Sequence, residues 1–301
     1  MNFNHNSPLD IFLTELFDRY REAVPEVNQI TAALLKNGVV SSQDEIVNDH
    51  IAFRTLGVPN LGIKSFEKIF LYHGYQKRDH YYFEEKKLDA YWYSPPSAAY
   101  PRIFLSELKV DQLSSKAQDI IKKYTAAIQL DPVDAINLND GEAIAAFLHH
   151  PLWSLPDLHD YNTLLKESEY AAWVIYNRYY LNHYTISVHA LSKGYQSLPD
   201  FNRFVEGLGI KLNDAGGKIK ISADGLLSQS STVAGVHEVE FADGSKAQIA
   251  GSYVEFAERS VLPAYSHLKP EEILSVHRRE GFETSNADKI FESTYTGQIK
   301  S

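Results

Sequence analysis

A chain of 301 residues, 44% hydrophobic and 23% charged, has the composition of an ordinary globular protein and is long enough to bury a substantial core, in one large domain or two of about 150 residues. Cysteine is absent, which excludes disulfides, iron–sulfur clusters, thiolate zinc sites and a cysteine nucleophile, so any metal must sit on His, Asp and Glu. A formal net charge of −10 without a dense Lys/Arg cluster argues against a nucleic-acid partner, and it means that an anionic ligand needs a dedicated cation in its pocket.

No run approaches the ~18 apolar residues of a membrane span, and MNFNHNSPLDIFLTEL has no basic stretch followed by an apolar core. No membrane partner and a cytoplasmic location are therefore expected. Residues 8 to 37 predict two helices: LDIFLTELFDRYREAV sets Ile11, Leu13, Leu16 and Phe17 at helical spacing, and VNQITAALLKNG ends on a glycine suited to a C-cap. NDHIAFRTLG then alternates as a strand, with Ile51 and Phe53 on one face and His50, Ala52 and Arg54 on the other. The amphipathic helix SFEKIFLYHGY, a Tyr-rich hairpin around EEKK and the strand PRIFLSELKV complete a β-α-β-β-β unit.

Residues 114 to 181 are predicted mostly helical, with a proline-bearing loop at HHPLWSLPDLHD. The order of elements then returns: strand NHYTISVHAL, helix DFNRFVEGLG, short strands around GGKIKIS, GLLSQSSTVA and VHEVEFADG, and strand GSYVEFAERS. One helix and irregular chain are expected from LKPEEILSVHRREGF onward. The expected architecture is a single α+β domain over 1–301: N-terminal helices at 1–44, a first βαβββ unit at 45–113, a helical insert at 114–181, a second βαβββ unit at 182–262, and a C-terminal helix and tail at 263–301. Each unit leaves one sheet face uncovered, and pairing two of them closes a half-barrel around a cavity lined by inward-facing strand residues.

His50 opens the first strand of unit one, His183 opens the first strand of unit two, and Glu255 lies in the last strand of unit two between apolar neighbours. A carboxylate so placed needs a partner, and a metal cation is one. Two neutral imidazoles and one carboxylate on one face of an octahedral ion leave three positions for a bidentate 2-oxo acid and O2, a pattern that suits Fe(II). Arg54 follows His50 by four residues on the same face, about 13 Å along a strand at ~3.3 Å per residue, and its long side chain can lean back to hold a second carboxylate.

Each residue also admits a plainer role: a histidine at a strand start is commonly just hydrogen-bonded, and Arg54 could pair with an acidic side chain. His189 lies six residues beyond His183, too far along a strand to share an ion with it, and is assigned a structural role. His237 and Glu107 fall on strands that could line the cavity, with Glu107 near the unit-one equivalent of Glu255 but sharing a face with Ile103 and Leu105. Arg259 sits at the same offset from Glu255 as Arg54 from His50, a place from which it could bind substrate or orient Glu255, and the second is its expected role. Gln229 and Ser231, within the polar run 229–232, suit hydrogen bonds to a substrate or equally an edge strand.

Through NDHIAFRTL, LNHYTIS, DGLLSQSSTVA and GSYVEFAER, from about residue 45 to 262, the sequence resembles the 2-oxoadipate dioxygenase/decarboxylase family, similar in fold to the vicinal oxygen chelate enzymes. The resemblance implies an Fe(II) enzyme that converts 2-oxoadipate and O2 to 2-hydroxyglutarate and CO2 in lysine breakdown. By motif the metal ligands fall on His50, His183 and Glu255 and the carboxylate-binding arginine on Arg54. The chain is shorter than some members, whose extra C-terminal segment contributes to the pocket, which leaves substrate length open. Two other readings stand beside it: a glyoxalase-type Zn or Ni lyase or isomerase with a carboxylate from each unit, favoured if Glu107 turns inward, and a metal- or small-molecule-binding protein without turnover.

Overall fold

The computed structural model describes residues 7–192 and 194–300; the first six residues of the N-terminal segment and the last of the C-terminal one lie outside that range. Helix α1 (Pro8–Ala23) starts where Ser7 Oγ accepts the N–H of Asp10 and Pro8 takes the first helical position, which needs no N–H donor. Helix α2 (Pro25–Lys36) stops at Asn37, and Gly38 at φ +62° supplies the left-handed turn beyond it. The first repeat follows as β1 (Asn48–Leu56), α3 (Ile63–Tyr72), β2 (Gln76–Phe83), β3 (Leu88–Ser94) and β4 (Arg102–Leu108).

Four helices intervene: α4 (Ser115–Thr125), α5 (Gly141–His149), α6 (Leu158–Glu167) and α7 (Glu169–Asn177). The second repeat comprises β5 (His183–Ser187), α8 (Leu198–Gly207), β6 (Lys220–Ile221), β7 (Leu227–Ser231), β8 (Val236–Glu240), β9 (Lys246–Ala250) and β10 (Tyr253–Arg259). It departs from the sequence expectation in one respect, because β8 and β9 pair only with each other in a separate hairpin. In the tail, residues 263–281 carry only short 3₁₀ turns, and the helices are α9 (Thr284–Phe291) and α10 (Thr296–Lys300).

The eight remaining strands form one mixed sheet in the order β2-β3-β4-β1-β5-β10-β7-β6, a half-barrel as expected. Read outward from the β1–β5 seam, each half repeats one pattern: first strand, last strand, third, second. Within each half the first and last strands are parallel, and the seam itself is antiparallel. The register makes the repeat exact enough to compare residue by residue: His50 pairs with Arg102 and Ala52 with Phe104, while His183 pairs with Tyr253 and Thr185 with Glu255. Phe104, rather than Glu107, is therefore the unit-one counterpart of Glu255.

Alternation assigns the two faces. Phe53 packs on Phe66 and Phe70 of α3 at 4.9 and 5.9 Å, Tyr184 on Phe17 of α1 at 5.0 Å, and Phe256 on Phe201 of α8 at 4.9 Å, so helices cover the convex face. The opposite face carries His50, Arg54, His183 and Glu255. It is closed at the Arg54 end by α7, whose Tyr170 hydroxyl accepts the Thr55 N–H at 3.1 Å and lies 2.9 Å from Ser106 Oγ, and elsewhere by α9.

Helix α5 lies so close to α1 that its first residue has no room for a side chain: a Cβ on Gly141 would stand 2.5 Å from Pro8 O and 2.7 Å from Ile11 Cβ. Gly141→Ala should therefore destabilise the fold by about 1–3 kcal/mol through overpacking, read as a lowered denaturation midpoint at unchanged m-value.

Candidate metal centre

Three side chains converge where β5 lies between β1 and β10. His50 Nε2 and His183 Nε2 are 3.3 Å apart, Glu255 Oε2 is 3.1 Å from His183 Nε2, and Glu255 Oε1 is 3.5 Å from His50 Nε2. All three residues are buried. Their convergence depends on an irregularity of β1: Asn48 pairs with Ile186 but Ile51 pairs with Tyr184, so one extra residue is accommodated around Asp49 and His50. The bulge lets neighbours in sequence meet in space, and Asp49, which strict alternation would turn to the other face, reaches the His50 ring.

Each imidazole is oriented by the residue before it. His50 Nδ1–H donates to Asp49 Oδ1 at 2.9 Å and His183 Nδ1–H to Asn182 Oδ1 at 3.1 Å, which leaves the two Nε2 lone pairs directed at each other and at Glu255. Glu255 is oriented in turn: Gln229 Nε2–H donates to its Oε1 at 2.7 Å, and Asn286 of α9 donates to Gln229 Oε1 at 3.1 Å, fixing which end of the amide faces the carboxylate. Burial alone would raise the Glu255 carboxyl, but the two imidazoles hold it well below the usual carboxylate range. At His50, burial is outweighed by Glu255 and Asp49 and the imidazole is raised; at His183 burial prevails and it is lowered.

Two facing nitrogen lone pairs and a carboxylate make a site of negative potential in a dry interior, and a divalent cation is the partner that satisfies all three at once. The donor set fits a metal with an open coordination face. Phe104 occupies the position where a second carboxylate would complete four ligands, and Glu107 instead accepts the Ile63 N–H at 2.7 Å beneath Gly62. Glu107 is thus structural.

The cavity over the three donors holds only about 20 Å³, room for a single water, and its walls are Phe104, Tyr253, Phe282, Ala287, Ile290, Phe291 and Gln229. Four of these come from the tail. Arg54 stands behind that wall, 1% exposed, donating to Thr294 Oγ1 at 2.9 Å and Phe291 O at 3.1 Å and enclosed by the rings of Tyr170, Trp173 and Phe291. It forms no ion pair among the described residues, and its side chain lies against the Tyr253 hydroxyl. Ser231 does not reach the cavity; its hydroxyl lies 2.8 Å from Ser293 Oγ.

The other candidates fall elsewhere. His237 is exposed on the β8–β9 hairpin. His189 follows the end of β5 in a 3₁₀ turn and accepts the Arg259 N–H through Nδ1 at 3.2 Å. Arg259, expected to orient Glu255, pairs with Asp49 instead. Sequence reasoning missed Asp49, Asn182 and Asn286; the first two carried a signal in the dipeptides Asp-His and Asn-His, whereas Asn286 sits in a tail without strand periodicity.

A family model described as 2-oxoadipate dioxygenase/decarboxylase matches residues 12–271. A chloroplastic 2-oxoadipate dioxygenase/decarboxylase of Arabidopsis thaliana is 45% identical over 266 residues, covering 85% of this chain and 70% of the relative. The structure of a hydroxyglutarate synthase from Oryza sativa in complex with 2-oxoadipate superposes with a TM-score of 0.87 at 42% identity, covering 96% of this chain and 93% of the other. A protein assigned to the glyoxalase superfamily from Ralstonia eutropha shares the fold, with a TM-score of 0.70 at 21% identity over 92% of this chain and 87% of the other. The Arabidopsis relative is a plastid protein by name and so does not carry the expected cytoplasmic location; among the described residues no helix is long and apolar enough to cross a membrane.

Anaerobic titration with Co(II) or Fe(II) should find one ion per chain and a metal-dependent rise in Tm. His183→Ala or Glu255→Ala should abolish both while the metal-free chain stays folded; undiminished binding in either variant would exclude the three-residue site.

Proposed function

Because the chain belongs to the 2-oxoadipate dioxygenase/decarboxylase family, we propose that it converts 2-oxoadipate and O2 to 2-hydroxyglutarate and CO2 in lysine breakdown, with one Fe(II) held by His50, His183 and Glu255. The observation that carries this reading is the pairing of a three-donor cluster with a buried arginine that has no anion of its own. The reaction balances without a second reductant: one carboxyl carbon leaves as CO2, one atom of O2 enters the new carboxylate, and the other becomes the hydroxyl on the adjacent carbon.

When bound, Fe(II) supplies the electrons that activate O2. The protein's residues do the rest by position. His50, His183 and Glu255 would hold the ion through three donors, which would leave it open to a chelating 2-oxo acid and to O2. Phe104, Phe282, Ile290 and Phe291 exclude water, which protects a reactive centre and strengthens every charge interaction inside. Arg54 receives the distal carboxylate. A buried guanidinium with no counter-ion among the described residues is costly, and a substrate carboxylate relieves that cost. With both ends held, the carbon next to the newly formed carboxylate would be the one placed for hydroxylation.

Since about 20 Å³ cannot hold a six-carbon diacid, entry requires the Phe291–Thr294 stretch to yield its place beside Arg54. Gln229 acts through Glu255 and stands at the cavity wall, where its amide can also meet the substrate; Ser231 contributes through its contact with the Ser293 stretch. The glyoxalase-type alternative needs a carboxylate from each unit, and Phe104 fills that position.

Fe(II)-loaded protein given 2-oxoadipate should consume O2 and release CO2 and 2-hydroxyglutarate in equal amounts; O2 uptake with no CO2, or turnover under argon, would sink the proposal. Arg54→Ala should lower kcat/KM for 2-oxoadipate by about tenfold to a hundredfold more than for 2-oxohexanoate, the loss expected for a charge-assisted hydrogen-bonded pair. Equal losses on both substrates would remove the carboxylate clamp.

A further inference from the structure

Beneath His50 lies an ionic arrangement that the reaction itself does not call for. Asp49 is 1% exposed and Arg259 is 1% exposed, and they meet fork to fork: Arg259 Nε–H donates to Asp49 Oδ2 at 2.7 Å and Nη2–H to Oδ1 at 2.9 Å. The same Oδ1 accepts Nδ1–H of His50 at 2.9 Å. Arg102 adds a second cation, with Nη1 at 3.6 Å from Asp49 Oδ2, and is itself bound to Glu280. The remaining face of the Arg259 guanidinium donates from Nη1 to Gly281 O at 2.7 Å and Arg279 O at 3.0 Å. The next residue, Phe282, sets its ring edge-on to the His50 imidazole at 4.7 Å and walls the cavity.

We infer that Asp49 and Arg259 are positioning residues for the metal centre, a buried latch that fixes the tautomer and ring plane of His50 and at the same time docks the tail segment that brings Phe282 onto that ring. Three features carry this. Desolvating two charges is costly, and a plain structural role at this place could be filled by apolar side chains. The bulge in β1 is what allows Asp49 to reach back to His50 at all. And both carboxylate oxygens are committed, Oδ1 to the imidazole and the arginine together, so the ring cannot rotate without losing its bond to a carboxylate that the arginine holds in place. On the far side of the pair runs an open groove of about 960 Å³ between Trp92, Arg102 and Arg278, so the latch is also the partition between that groove and the closed centre.

The test is metal affinity in the full-length chain without substrate, in Asp49→Asn, Arg259→Lys, and the double variant Asp49→Asn/Arg259→Gln. The Co(II) dissociation constant, the ligand-field absorbance of the Co(II) protein and the Tm of the metal-free protein are read together. Asp49→Asn strands a buried arginine and can fail to fold; the double variant removes both charges and keeps the measurement open. The latch predicts a Co(II) affinity lower by about tenfold to a hundredfold in the double variant, with an altered absorbance envelope. It predicts too that Arg259→Lys, which keeps the charge but loses the fork, recovers Tm more fully than affinity. Wild-type affinity and spectrum in the double variant would overturn the latch, as would affinity losses that follow Tm in every variant. The inference rests on His50 being a metal ligand: a wild-type chain that binds no ion refutes that reading, whereas normal wild-type binding with unaffected variants refutes the latch alone.

Discussion

The centre of this protein is organised around a repulsion. Two imidazole nitrogens, each with its proton on the far side of the ring, are held 3.3 Å apart beside a carboxylate in the buried interior. The Thr185 hydroxyl, 3.1 Å from His50 Nε2, meets only part of it, and much of the protein maintains it: the antiparallel seam that brings β1 beside β5, the parallel pairing that brings β10 alongside, and the orienting groups Asp49, Asn182 and Gln229 that stop the three donors from turning away. Such an arrangement is poor economy for a folded chain on its own and good design for a cation that must be bound firmly on one side only.

How much of this could be read from the sequence follows from which features are periodic. Alternation in NDHIAFRTL, NHYTISVHAL and GSYVEFAERS places His50, Arg54, His183 and Glu255 on one face of their strands, and the structure brings three of them together and sets the fourth behind the cavity wall. The recurrence of β-α-β-β-β foretells the half-barrel. What alternation cannot express is its own interruption. The bulge at Asp49 and His50 reverses the expected side of Asp49, and with it the partner of Arg259, which by offset alone should have served Glu255. Counting along strands likewise placed Glu107 near the equivalent of Glu255, whereas the register of β1 with β4 assigns that place to Phe104.

The tail was the least legible part, for a physical reason. Residues 282–294 have neither strand alternation nor a long apolar stripe, because their task is to fill the opening of a concave surface whose shape is set by other strands. Yet they supply Phe282, Ile290 and Phe291 to the cavity, Asn286 to the Gln229–Glu255 chain, and Thr294 to Arg54. The helical insert contributes in the same indirect manner: α7 looks like a simple apolar helix, but its Tyr170 and Trp173 form the aromatic surround in which an arginine can be buried without an acid. Both ends of the proposed substrate are therefore held from within the repeated units but enclosed by elements outside them.

The repeat itself carries a further meaning in the contrast between Phe104 and Glu255. Two halves with one architecture would by default offer matching ligands, and a matched set encloses its ion. Here one half presents a carboxylate and its twin presents a benzene ring at the corresponding register. Broken symmetry of that kind turns a closed cage into a socket: in the proposed reaction, the capacity to admit a gas and a chelating acid comes from the side chain that one copy of the unit does without.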